Sequence, residues 1–467
     1  MNLNAIRNVY FLGIGGIGMS AIARYFHALG CKVEGYDKTP TALTKALQTE
    51  GIHVHFEDAV EALPAFIQED PQATLLVYTP AIPADHPQRV WLEQSPLQLF
   101  KRSEVLGLIS RDSFTIAVAG THGKTTTSTM IAHILRTCGV NFTAFLGGIS
   151  ANYQTNYLRY ENGRQVTKKP IVVLEADEFD RSFHRLTPDI AVITAIDPDH
   201  LDIYETEAAF REAFDVFAAK TRASGHVYIQ STLKVLTPAT VKLQRYSIDP
   251  HAPGDFTGEN LRIEDGYFRF DMKLGGLAAQ TIFTCGLPGR HNAENAVVAA
   301  AVCIDGLGLD AQAVARGIET FNGVKRRFEY LVRNAEQVVI DDYAHHPTEL
   351  DAIIGSVRML YPDREVWGIF QPHLFTRTRD FATGFASSLA AVDRLFLMEI
   401  YPAREKPLPG INSQWLLEQV QLVRKELADG QAILAALKEE KPGVLLILGA
   451  GDIDRLCGPI QQLYAHG

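Results

Sequence analysis

Residues 114–127 read FTIAVAGTHGKTTT, and this stretch decides the fold. Phe114–Ala119 is a short apolar run that suits a buried strand. It turns through Gly120, Thr121, His122 and Gly123. From Lys124 it enters a segment with helical apolar spacing at Met130, Ile131, Ile134 and Leu135. Strand, glycine turn, lysine, hydroxyl and helix, in that order, make a phosphate-binding loop. Glycines let the backbone approach phosphate oxygens, and the first N–H groups of the helix point at an anion because they have no partner inside it. Lys124 is expected to neutralise the β- and γ-phosphates of a nucleoside triphosphate, and Thr125 to ligate Mg2+. Val118 stands where the longer form of this loop has its first glycine, so the motif is the shorter G-x-x-G-K-T version.

Working towards the C-terminus, residues 171–174 read as a buried strand that runs into Glu175-Ala176-Asp177-Glu178-Phe179-Asp180. Four carboxylates at the end of an apolar strand repel one another unless cations join them. Glu175, the first residue off the strand, is the expected second Mg2+ group. Residues 190–196 form another buried strand and lead to Asp197-Pro198-Asp199-His200. A histidine among acids is a metal ligand or the holder of a carboxylate. Residues 224–286 look like short strands and turns. GRHNAENA at 289–296 then opens a helix. Asn292 and Asn295 lie three apart and share a face, as helix-start caps or as ligand contacts.

Towards the N-terminus, residues 9–12 are a strand, Gly13-Ile14-Gly15-Gly16-Ile17-Gly18 fits G-x-G-x-x-G, residues 19–29 fit a helix, and Lys32–Tyr36 is a second strand closed by Asp37. A diphosphate over this turn with a ribose near Asp37 satisfies the pattern. On these residues alone a nicotinamide or flavin dehydrogenase fits as well as a nucleotide diphosphate-sugar. Residues 73–78 form a strand ending in Thr79-Pro80-Ala81, at the end where ligands of open α/β sheets bind.

Beyond Gly323 comes Lys325-Arg326-Arg327, a solvated basic patch or an anion clamp. Strands at 337–340, 365–370, 394–399 and 444–448 follow. Polar residues cluster at their ends in DDYAHHP (341–347) and QPHLFTRT (371–378). Helices and strands alternate throughout, which predicts three α/β domains. They are a Rossmann-like domain over 1–108, a central P-loop ATPase-like domain over 109–322, and a second Rossmann-like domain over 323–467. The net charge of −10 over 467 residues disfavours general nucleic-acid or anionic-membrane binding. No apolar run approaches the length of a membrane span. Five widely spaced cysteines suit a reducing, cytoplasmic compartment. No H-E-x-x-H or neighbouring cysteine supports zinc at His345, His346 and His373.

Taken together, GIGGIGMSAIA (13–23), AGTHGKTTT (119–127), EADEFD (175–180), DHLDIY (199–204), GRHNAENA (289–296), DDYAHHPTE (341–349) and FQPHLFTRTRDF (370–381) resemble the Mur ligases of bacterial peptidoglycan synthesis, along essentially the whole chain. GIGGIGMS and DHLDIY look most like the alanine-adding branch. The branch that recycles a preformed tripeptide is the alternative. The resemblance implies activation of the lactyl carboxylate of UDP-N-acetylmuramate by ATP with Mg2+, followed by attack of L-alanine on an acyl phosphate. It implies a monomer or homodimer.

By the same resemblance Gly15, Gly16, Gly18, Met19 and Ser20 hold the uridine diphosphate, and Asp37 meets the uridine–ribose end. Thr79, Pro80 and Ala81 stand where the family usually has a Ser-Ser-Ala loop. Gly120, Thr121, His122, Gly123, Lys124, Thr125 and Thr126 hold the triphosphate. Thr125, Glu175 and His200 bind metal. Asn292, Asn295 and Arg327 contact ATP, with Asp342 on its ribose. Tyr343, His345, His373 and Arg377 line the alanine pocket. A dehydrogenase leaves the phosphate loop idle, and a plain ATPase or GTPase switch leaves the first domain idle.

Overall fold

A computed structural model describes residues 3–197, 201–272, 281–403 and 405–465. His200 lies outside these residues. The chain divides into two compact units. The first comprises Met1–Asn260, Phe270–Thr284 and Glu294–Phe321; the second comprises Leu261–Arg269, Cys285–Ala293 and Asn322–Gly467.

In the first unit, strands β1 (Asn8–Leu12), β2 (Lys32–Tyr36), β3 (His53–His55), β4 (Thr74–Tyr78) and β5 (Leu99–Lys101) form a sheet in the order β3-β2-β1-β4-β5. All neighbours are parallel. Such strands are buried on both faces and read as nearly continuous apolar runs, as in Asn-Val-Tyr-Phe-Leu of β1. The chain proceeds outward from β1 to β3 and then returns to β4. The strand order therefore reverses between β1 and β4, and the carboxyl ends beside such a reversal are where ligands of open α/β sheets bind. The turn after Leu12 and the Thr79 loop both sit there, since Leu12 pairs with Tyr78.

The next sheet contains β6 (Phe114–Ala119), β7 (Phe142–Phe145), β8 (Tyr157–Tyr160), β9 (Ile171–Glu175), β10 (Ile190–Ile193), β11 (His226–Gln230), β12 (Lys242–Ser247), β13 (Phe256–Glu264), β14 (Tyr267–Met272) and β15 (Thr281–Cys285). Its order is β15-β14-β13-β12-β11-β10-β6-β9-β7-β8. β6 lies parallel to β9 on one side and β10 on the other, with Val118 opposite Glu175 and Ala119 opposite Ile193. Three segments distant in sequence therefore leave the sheet side by side. They are the glycine turn after β6, the acidic run after β9, and Thr194–Asp197 after β10. A tyrosine-rich stretch supplies β8, antiparallel to β7.

In the second unit β16 (Glu329–Arg333), β17 (Val338–Asp342), β18 (Val366–Phe370), β19 (Arg394–Leu397), β20 (Lys425–Leu427) and β21 (Val444–Leu448) form a sheet in the order β16-β17-β21-β18-β19-β20. Only β16 runs antiparallel. Leu448 faces both Asp342 and Phe370, so the chain segments after β17, β18 and β21 emerge together. The fold class is that expected: three α/β sheets, largely parallel. All five cysteines are unpaired thiols. Among the described residues no helix is long and apolar enough to cross a membrane.

Candidate active site

The glycine turn after β6 is shaped by its neighbours. Gly120 has φ 131° and Gly123 φ 79°, a backbone region that favours glycine. A Cβ on Gly120 would lie 2.1 Å from Thr194 Oγ1, and one on Gly123 2.8 Å from Asn295 Oδ1. Thr194 Oγ1 bonds to the carbonyls of Ala119, at 3.1 Å, and of His122. Thr121 Oγ1 accepts from Asp197 N at 3.1 Å, and His122 Nε2 lies 3.2 Å from Asp197 Oδ2. The helix Lys124–Thr137 starts directly after Gly123 with no side-chain cap, so its first N–H groups face the loop. Thr126, only 6% exposed, belongs to its first turn.

Lys124 Nζ donates to Gly120 O at 2.6 Å and to Glu178 Oε1 at 2.8 Å. Burial alone pulls the Lys124 pKa down, but the carboxylates of Glu178, Glu175 and Asp177 outweigh it and hold the ammonium above its ordinary value. Burial pushes Glu178 up while Lys124 pulls it down. The two shifts point to different protonation states for this pair. The direction that fits a 2.8 Å contact is the charged one, ammonium against carboxylate. Thr125 Oγ1 donates to Glu175 Oε2 at 2.7 Å. A Cβ on Gly147 would lie 2.0 Å from that same Oε2, so glycine at 147 leaves the carboxylate room. A hydroxyl and a carboxylate converging beside a lysine are oxygen donors of the kind Mg2+ takes. The residues fit the ion.

Asn295 reaches the loop through Gly123. Asn292 is 3% exposed and donates to Pro288 O at 2.6 Å. The helix starts at Arg290, so both asparagines lie inside it and neither is its cap.

At the first sheet, Gly13 has φ 86°, and a Cβ there would meet Thr79 Cγ2 at 2.5 Å; the glycine turn and the Thr79 loop pack together. Pro80 and Ala81 are exposed. Gly15 N donates to Asp37 Oδ2 at 2.7 Å. A Cβ on Gly15 would sit 2.7 Å from both that oxygen and Thr44 Cγ2. Asp37 thus closes the turn itself. Gly15→Ala is expected to cost about 1–3 kcal/mol through overpacking, read as a lower denaturation midpoint.

Gly16 is the open position of the turn, with no atom closer than 3.7 Å to an added Cβ. Met19 and Ser20 turn inward, at 2% and 0% exposure. Ser20 Oγ donates to Ile17 O at 3.0 Å and accepts from Asn156 Nδ2 at 2.9 Å. Asn156 also bonds to Ile17 O and Arg24, and Arg24 holds Glu50 at 2.7 Å. A cation at this turn went unread in the sequence. Arg102 Nη1 lies 2.2 Å from where a Gly18 Cβ would be, and Nη2 donates to Asp177 Oδ2 at 2.8 Å. Arg102 begins the helix Arg102–Asp112.

In the second unit, Asp342 accepts from Phe328 N at 2.7 Å and Ala344 N at 2.8 Å. Burial pushes its carboxyl up to about 6 against the pull of Arg327. These bonds fix a strained turn, with Arg326 at φ 61° and Phe328 at φ 52°, that carries Arg327. Arg327 and Arg326 each lie 5.1 Å over the Tyr343 ring. His345 Nδ1 faces two acceptors, Tyr343 O at 2.9 Å and Glu349 Oε2 at 3.2 Å, so it carries the proton and Nε2 is the acceptor. Next to it His373 stacks on Tyr401, centroids 5.8 Å apart, and its Nδ1 is 3.4 Å from Arg377 Nη1. Tyr343, His345, His373 and Arg377 thus come together from two strand ends.

Burial lowers the His345 pKa to about 4. A folded value below the ordinary 6.5 gives stability that is complete above 6.5 and lost as pH falls through 4. The melting temperature is therefore expected to fall between pH 6.5 and 4, and His345→Gln to flatten that slope.

The chain matches three family models in order. They are Mur ligase family, catalytic domain, over residues 8–114; Mur ligase middle domain over 118–303; and Mur ligase, glutamate ligase domain, over 326–451. The chain belongs to the Mur ligase family.

Among the relatives of this Mur ligase is the UDP-N-acetylmuramate–L-alanine ligase of Flavobacterium johnsoniae, 45% identical over 464 residues, 99% of each chain. The protein of that name from Porphyromonas gingivalis is 46% identical over 461 residues, covering 98% of this chain and 99% of its own. The crystal structure of UDP-N-acetylmuramate-alanine ligase from Thermotoga maritima superposes with a TM-score of 0.78 at 26% identity, covering 98% of this chain and 99% of that one. A murein peptide ligase from Psychrobacter arcticus shares the fold at TM-score 0.68 and 20% identity, over 98% of each chain. Mur ligases are ATP-dependent amino-acid ligases.

Proposed function

We propose that this Mur ligase joins L-alanine to the lactyl carboxylate of UDP-N-acetylmuramate in the cytoplasm, as a step of peptidoglycan precursor synthesis. The observation that carries this reading is identity of 43–46% over nearly the whole chain to relatives of that name. The geometry supports its phosphoryl-transfer half.

A carboxylate is not amidated directly at neutral pH, because its carbonyl is a poor electrophile. Its oxygen first attacks the γ-phosphorus of ATP, a P–O bond forms, and the bond to ADP breaks. The amine of L-alanine then attacks the carbonyl carbon of the acyl phosphate. A C–N bond forms, phosphate leaves, and the amine proton passes to solvent. Lys124 stabilises the charge on the transferring phosphoryl group. Thr125 and Glu175 hold Mg2+, which when bound neutralises phosphate charge. By resemblance His200 would help bind a second Mg2+, near the acceptor carboxylate.

Asn292, Asn295 and Arg327 contact ATP. Asp342 retains a second lone pair on each oxygen for a ribose hydroxyl. The glycine turn at Gly15, Gly16 and Gly18, with the Thr79 loop, takes the UDP end. Arg102 adds positive charge there, so Arg102→Ala is expected to raise KM for the UDP-sugar about tenfold with KM for L-alanine unchanged, read by initial rates.

The test is phosphate release with UDP-N-acetylmuramate and a panel of amines. Release dependent on L-alanine supports the proposal. Release with a tripeptide alone assigns the recycling reaction instead, and release with glycine or L-serine alone redraws the amino-acid pocket.

A further inference from the structure

We propose that Glu178 is a positioning residue: it holds Lys124 in the resting site, and the incoming triphosphate displaces it. The inference rests on the reading of Lys124 as the phosphate-binding lysine and adds what that lysine must give up.

An ammonium has three N–H donors. One of those on Lys124 goes to Gly120 O at 2.6 Å and a second to Glu178 Oε1 at 2.8 Å. One donor is left. A lysine that keeps its bond to the loop carbonyl and also bridges β- and γ-phosphate oxygens needs two. Binding a triphosphate in that way therefore requires Glu178 to let go. A diphosphate, which offers only its β-oxygens, is served by the remaining donor.

Glu178 is well placed for this duty. Its side chain is 3% exposed, and among the described residues Oε2 has no hydrogen-bond partner. The carboxylate is thus tied at one oxygen only. Its backbone is fixed instead: Glu178 O accepts from Tyr204 Oη at 2.5 Å and Arg181 N at 3.0 Å. Asp180 and Arg181, just beyond, hold φ values of 55° and 52°. An anchored main chain with a singly tied side chain lets the carboxylate turn away without moving the loop. Until then it keeps a buried ammonium charged and aimed across the glycine turn. A buried lysine without a counter-charge loses its proton or destabilises the fold. Separating the pair is a cost subtracted from triphosphate affinity and recovered when the γ-phosphoryl group leaves. ADP is then left facing the one donor that Glu178 never occupies.

The experiment is calorimetric titration of the full chain, with Mg2+, using AMP-PNP and ADP as probes. Wild type is compared with Glu178→Gln, which keeps the shape and removes the charge, and with Glu178→Asp, which keeps the charge but is one methylene short. Melting temperatures without nucleotide are recorded alongside. Both variants are expected to bind AMP-PNP roughly tenfold tighter than wild type and ADP with little change. Glu178→Gln is expected to melt lower than wild type without nucleotide, and to gain more on adding AMP-PNP. Three results overturn the proposal: AMP-PNP binding that is unchanged or weaker in Glu178→Gln, which marks a structural role or a metal ligand; equal tightening for ADP and AMP-PNP; or equal nucleotide-free melting. Failure of wild type to bind AMP-PNP removes the reading of the loop itself, and the proposal with it.

Discussion

Lys124→Ala is expected to lower kcat for phosphate release by about 10³-fold or more, which is about 4 kcal/mol of transition-state stabilisation. Phosphoryl transfer leaves the protein little covalent chemistry to perform, so positioning and charge carry the rate. Lys124 is the loop's cation, held by Gly120 O and facing the start of the helix Lys124–Thr137. The same substitution strands the Glu178 carboxyl in a buried site, so a loss of stability is expected beside the loss of rate. The double variant Lys124→Ala with Glu178→Gln separates the two. It should recover melting temperature and leave turnover absent. Full turnover in Lys124→Ala would remove the loop from the mechanism.

Arg377→Ala is expected to raise KM for L-alanine by about 10²-fold, the loss of a charge-assisted, two-pronged grip on a carboxylate. Arg377 is 9% exposed, so a carboxylate bound to it is shielded from water. Its neighbours fix its direction: His373 Nδ1 lies 3.4 Å away, and that ring is pinned between Tyr401 and His345 at centroid distances of 5.8 and 6.1 Å. Arg377→Lys offers a point charge without the planar fork and is expected to recover only part of the loss. KM values for ATP and for the UDP-sugar should stay near wild type. A rise in all three would mean that Arg377 supports the fold of its unit and not the amino acid.

Much of this site was legible because its chemistry is local in sequence. The phosphate loop compresses strand, turn and helix into 14 residues, Phe114–Thr127, and each step has its own residue signal. The strands bearing Glu175, Asp342 and Phe370 are continuous apolar runs that end abruptly in polar residues, so both strand and site end could be read. What escaped was pairing across distance. The partner of Lys124 is Glu178, 54 positions away. Glu-Ala-Asp-Glu-Phe-Asp offers four carboxylates, and nothing in it says which of them meets the lysine. Arg102 begins the helix Arg102–Asp112, and only the close approach at Gly18 makes it a cation of the first turn. Met19 and Ser20 follow a glycine motif, but helical geometry turns both into the core, where Ser20 meets Asn156, 136 positions on. The edge strands β3 and β5 have three residues each, too few to show a period.

The most direct measurement uses UDP-N-acetylmuramate carrying 18O in its lactyl carboxylate. With ATP and L-alanine, the released phosphate is expected to carry one 18O atom per turnover, because the carboxylate oxygen that attacks the γ-phosphorus leaves with it. Phosphate free of 18O while the amide product forms would contradict an acyl-phosphate route, and with it the role given to the loop around Lys124.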